Sequence, residues 1–147
     1  DIKRELGDPR ELAVTELYQE AARAQETPAS DLAPLRTAVN AARQCPDPHV
    51  GARSYQRLGE VLRQRGELAE ALGELSAGIQ FAEEHGLLGL VAEMRAERAL
   101  AAAAAGNSVE AAADADAAIA FFDARQVAHP DLPRLRELAA GPTRDST

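Results

Sequence analysis

Gly66-Glu-Leu-Ala-Glu-Ala71 and Gly106-Asn-Ser-Val-Glu-Ala111 share a glycine, a glutamate and an alanine at matched places, forty residues apart. The same offset pairs Ile79 with Ile119 and Phe81 with Phe121. One step back along the chain, it sets Leu32 on Leu72, Leu35 on Leu75, Val39 on Ile79 and Ala42 on Ala82. One pattern therefore occurs three times, over residues 32–42, 72–82 and 112–122, with a small residue (Ala38, Gly78, Ala118) ahead of each β-branched one. Self-similarity at a fixed period of this size is the mark of stacked supersecondary units.

The pattern inside each copy is helical. Leu68, Ala71, Leu72, Leu75, Ile79 and Ala82 follow the i, i+3, i+4, i+7 spacing that places apolar residues on one stripe. The stretch ahead of each copy has the same period, with Tyr55, Leu58 and Leu62 in one and Ala92, Ala96, Ala99, Leu100 and Ala103 in the next. Each unit is thus a hairpin of two helices. Asp8-Pro9-Arg10-Glu11 combines an N-cap, a first-turn proline and a capping-box glutamate. Asn107-Ser-Val-Glu110 offers the same cap, Asp47-Pro48 opens another helix, and Ser30 or Asp31 precedes a helix whose first turn tolerates Pro34. Gly66, Gly86 and Gly106 fall at helix ends, where a left-handed residue is commonly needed. These signals predict seven helices, near 9–26, 31–44, 48–65, 67–85, 87–105, 108–126 and 131–139, with loose segments at 1–7 and 141–147.

Composition agrees. The chain has 147 residues, enough for one domain with a real core, and 33 of them are alanine, while aromatics are only 3%. An Ala/Glu/Arg/Leu-rich chain favours helix over strand and disfavours a β-sandwich, a disulfide scaffold or an iron–sulfur protein. The net charge of −8 is spread evenly, with no basic face to hold phosphates, so nucleic-acid binding is not expected. The single cysteine, Cys45, forbids an intramolecular disulfide and fits a reducing, cytoplasmic setting. No apolar run reaches the roughly 20 residues of a membrane span. The chain opens on Asp1 rather than Met, which marks a processed chain or a piece of something longer. Fifteen arginines against one lysine, with abundant alanine, match the coding bias of GC-rich bacteria.

Tyr55, Leu58-Gly59, Leu62, Gly66, Ala71 and Gly78-Ile79 together resemble the tetratricopeptide repeat (TPR). The third unit keeps Gly106, Ala111 and Ala118-Ile119 but puts Arg95 and Ala99 where Tyr55 and Gly59 stand. In the first unit Glu26 holds the turn-glycine position, and Thr27-Pro28 replaces the tight turn. A forty-residue spacing is similar to the extended repeats of bacterial transcription and antibiotic regulators, kinesin light chains and G-protein-modulator scaffolds. The resemblance implies an all-α fold: an α-solenoid of about three antiparallel helix hairpins, at 9–46, 47–86 and 87–126, in a right-handed superhelix with a capping helix at 131–139. Gly59, Ala71, Gly78, Ala99, Ala111 and Ala118 would then let helices approach closely.

Catalytic chemistry finds no support in the sequence. His49, His85 and His129 stand at helix ends or turns, no two at i, i+4, and no metal-ligand spacing occurs. His85 in a last helical turn suits the helix dipole. The carboxylates Glu83-Glu84, Glu93/Glu97 and Asp114/Asp116 read as solvated faces. No phosphate-cradling glycine run and no nucleophile elbow is present. We expect no enzyme activity, no cofactor and no metal.

The resemblance implies instead a concave groove lined by the first helix of each repeat, taking a peptide or helix of a partner. Carried onto this chain, its exposed positions are Arg53, Gln56, Arg57, Glu60, Arg63 and Gln64 in unit two, and Glu93, Glu97 and Leu100, beside Ala103 and Ala104, in unit three. Arg53 and Arg57, at i, i+4, project from one face, where they either grip a ligand carboxylate or make surface pairs with Glu60 that are worth little. Glu16 and Glu20 in unit one depart from the basic clamp of chaperone-binding repeats. The expected function is a non-catalytic protein–protein interaction module; a sensor or regulatory segment of a larger transcription regulator is the alternative. Uncovered terminal repeats also allow a homodimer, and the groove could be closed by the chain's own helix at 131–139.

Overall fold

The computed structural model describes residues 8–141. Among them it forms seven helices and no strand: α1 (Pro9–Glu26), α2 (Ala33–Gln44), α3 (Pro48–Gln64), α4 (Leu68–Glu84), α5 (Leu88–Ala104), α6 (Ser108–Ala124) and α7 (Leu132–Ala139). The segments 1–7 and 142–147, part of what the sequence reads as loose, lie outside the described residues.

The helix ends follow local chemistry. The Asp8 and Asp47 carboxylates accept from the amides of Arg10 and His49, and each is followed by a first-turn proline. Asp31 accepts from the Ala33 amide. Asn107 departs from expectation: it precedes α6 but its side chain makes no cap bond. From α3 onward the turns repeat one design every twenty residues. Gly66, Gly86 and Gly106 have φ of 81°, 69° and 85°, and the amide after each donates to the carbonyl five residues back (Glu67 to Leu62, Leu87 to Ala82, Asn107 to Ala102). This is the Schellman bonding that satisfies orphan carbonyls at a helix end. Gln126, at φ 55°, makes the fourth copy, with the Val127 amide on the Phe122 carbonyl, although no glycine marks it. Helices α3 to α6 are consequently each 17 residues long.

Consecutive helices pack as neighbours, and each odd-numbered helix also touches the next odd one (α1 to α3, α3 to α5, α5 to α7). The even-numbered helices α2, α4 and α6 do not pack on one another. Two ion pairs bridge α2 to α4 instead, Arg36–Glu70 at 2.8 Å and Arg43–Glu74 at 2.5 Å. The core is divided accordingly into three clusters that follow the chain rather than one centre. The repeat register decides what enters them. Leu35, Leu75 and Ala115 are buried at one matched position, and Ala42, Ala82 and Phe122 at another. α7 packs on α5 and α6, with Leu135 buried beside Ala92, Ala96 and Ala99. It therefore continues the odd-numbered row.

Candidate functional site

The residues singled out for the groove come together on the face where α3 meets α5, but most are already engaged. The Arg53 guanidinium donates to Glu93 Oε1 at 3.0 Å and to Gln56 Oε1 at 2.6 Å, while Gln56 Nε2 donates to the same Glu93 oxygen at 2.8 Å. Lower on the face, Arg63 pairs with Glu97 through Nε. Arg57 donates to Glu60 at 3.1 Å and lies 4.7 Å from the ring centre of Tyr18 on α1. The face thus carries separate polar clusters, two joining α3 to α5 and one joining α3 to Tyr18 on α1.

One expectation is corrected here. Gln56 and Glu97 are buried, each 9% exposed, because they fill the seam between α3 and α5 rather than face outward. Arg53 and Arg57 are half-buried and paired within the chain: Arg57 with Glu60, as the surface-pair reading expects, and Arg53 with Glu93 on the next hairpin. Of the remaining candidates, Glu60, Arg63, Glu93 and Leu100 are half-buried and Gln64 is exposed. A second correction concerns Asp114. It is buried and takes both arms of Arg98, at 2.7 and 2.8 Å, while Arg98 also reaches Ser76 at 3.1 Å and so ties α4, α5 and α6 together. Its neighbour Asp116 is exposed, as a solvated face requires. Glu83 pairs with Arg95 at 3.0 Å.

The electrostatics follow from burial. Desolvation pushes the Glu97 carboxyl above its ordinary value; Arg63 pulls it back, and Glu60 and Asp131 add to the rise. Burial opposes the Arg57 charge, but Tyr18 and Glu60 outweigh it and hold the guanidinium above its usual value. The hydrogen bonds to Asp114 raise Arg98. Charged groups held this way are positioned before any partner arrives.

The other chemistry-bearing residues are structural. His85 ends α4 as expected, its ring nitrogen 2.9 Å from the Phe81 carbonyl and its ring 4.4 Å from Phe81. His129 stacks on Phe122 at 4.7 Å. Among the described residues no group of three or more His, Cys, Asp or Glu could hold a metal, and no helix is long and apolar enough to cross a membrane. The sequence reading missed Tyr18 and the Arg98–Asp114 link. It also missed the Arg53–Glu93 bridge, although opposite charges at one repeat position, forty residues apart, were a usable signal for it. Comparison with family models, curated proteins and solved structures finds no match to this chain.

Proposed function

We infer that this chain is a non-catalytic protein–protein interaction module of the TPR kind, a right-handed α-solenoid of three hairpins with α7 as its cap. The observation that carries this reading is the polar clustering on the α1–α3–α5 face. Two sets of three side chains, Arg53 with Gln56 and Glu93, and Arg57 with Glu60 and Tyr18, are each held together on helices of the odd-numbered row. A surface arranged in advance spends little entropy on binding. The partner is a peptide or helix that lies along this row and meets mixed charge, with Tyr18 on α1 and Leu100 on α5 as separate apolar contacts. Recognition consists of display and contact, with no bond made or broken. A cytoplasmic setting suits the single cysteine.

The test is affinity capture from the source lysate with the wild-type chain and with Arg57→Glu/Gln64→Glu. Both positions lie on the face, and neither belongs to the Arg53–Glu93 or Arg63–Glu97 bridges. We expect a partner recovered by the wild type and lost from the variant at unchanged helix content by circular dichroism. Recovery that is unaffected by the substitutions would move the interface off this face.

A further inference from the structure

A hollow of about 660 Å³ opens where the start of α1 meets the end of α2, and it shares no lining residue with the α3–α5 face. Leu12, Ala13, Ala41, Cys45 and Pro46 give it an apolar lining, and Leu12 is 44% exposed there. Among the described residues no side chain fills it, and the repeat explains why. Thirty-nine or forty residues on, the counterparts of Leu12, Glu16, Ala41 and Cys45 are Gly51, Tyr55, Phe81 and His85. In that hairpin Phe81 fills the space. A ring carbon lies 3.1 Å from where a Cβ on Gly51 would stand, and the ring centre is 5.7 Å from Tyr55 and 4.4 Å from His85. In the next hairpin Phe121 takes the position, against Gly89 and beneath the Arg125 guanidinium at 3.8 Å. The first hairpin alone puts alanine there.

We propose that this hollow is a binding site for an aromatic side chain of a protein partner, flanked by basic residues, which supplies from outside the ring that Phe81 and Phe121 supply within the other hairpins. The volume lies inside the roughly 300–1,000 Å³ of specific ligand sites. The lining chooses the flanks: three carboxylates, Asp8, Glu16 and Asp47, stand against one guanidinium, Arg10, which pairs with Asp47. An aromatic residue with cationic neighbours matches both the shape and the charge. This site stands apart from the α1–α3–α5 face and does not depend on it.

Cys45, the only cysteine of the chain, lies in the lining and reports occupancy without any label. The probe is a capped pentapeptide with one phenylalanine between two pairs of lysines, and the readout is the rate at which uncharged iodoacetamide alkylates Cys45 in the full chain. We expect the peptide to slow alkylation several-fold, and the same peptide with alanine for phenylalanine to leave the rate unchanged. Ala41→Phe fills the hollow, abolishes the peptide effect and raises the melting temperature by about 4 °C. Ala41→Leu is a smaller filler that weakens the effect without demanding a whole ring. Equal protection by the alanine peptide overturns the proposal, as does protection that persists in Ala41→Phe. Peptide-free alkylation that speeds up in Ile2→Ser/Leu6→Ser overturns it in favour of the chain's own first residues. Alkylation that speeds up on dilution overturns it in favour of a second copy.

Discussion

Gly78 and Gly73 lie on the same helix and make opposite demands. A Cβ on Gly78 would stand 2.6 Å from the Met94 sulfur and overlap the Tyr55 Cβ, which its backbone holds in place, whereas a Cβ on Gly73 meets nothing within 4 Å. We expect Gly78→Ala to cost about 2 kcal/mol by overpacking and Gly73→Ala to gain about 0.5 kcal/mol by stiffening the unfolded chain, both read from urea denaturation. The small residue at position 78 was legible because it recurs with Ala38 and Ala118. The burial of Glu97 was not, because a carboxylate on an amphipathic helix reads as solvated until its neighbour is known. Its raised carboxyl pKa gives a signed expectation. The native state holds the proton more tightly than the unfolded chain, so the charged form penalises folding at neutral pH. That penalty is relieved as pH falls through the native value toward the ordinary glutamate range. The stability of the wild type relative to Glu97→Gln should therefore rise between pH 7 and pH 4.5. A difference that does not change with pH contradicts the assignment.

The helices themselves were almost wholly legible. The predicted bounds match the observed ones within one or two residues, because aspartate–proline starts and glycine ends are local signals that need no tertiary help. The α1–α2 turn is read less directly, since Thr27-Pro28 lacks the left-handed glycine that closes the turns at Gly66, Gly86 and Gly106. Arg65 compensates from a distance. Its guanidinium donates to the carbonyls of Ser30 at 2.6 Å and of Ala24 and Thr27 at 3.2 Å each, and to the Ser30 hydroxyl at 3.0 Å. A contact across thirty-five residues leaves no periodic trace, so the sequence reading passed over it. We expect Arg65→Ala to cost about 2 kcal/mol, as a charged donor to three carbonyls of the turn is lost. Amide exchange should quicken first at the end of α1 and the start of α2, and an effect spread evenly over all helices would argue against a local clamp.

Across the whole molecule, stability is a chain of neighbour contacts. Each core cluster joins adjacent helices, and next-but-one helices pack on one another only in the odd-numbered row, the even row being linked by side-chain ion pairs. The period of forty residues made this stacking readable. The sequence reading placed the candidate residues on one face and allowed pairing within α3, but it did not reach the Arg53–Glu93 pair, because side-chain pairing between hairpins depends on how the helices pack. Arg53 and Glu93 are the point where that closure can be tested, since they occupy the same repeat position in consecutive hairpins and meet at 3.0 Å. The measurement is a double-mutant cycle with Arg53→Glu, Glu93→Arg and the exchanged pair, each followed by urea denaturation. If the α3–α5 face is preformed, each single reversal is destabilising and the exchanged pair recovers about 1 kcal/mol of coupling. Single effects that simply add, within about 0.3 kcal/mol, would mean that the two helices do not meet this way, and the preformed binding face would fall with them.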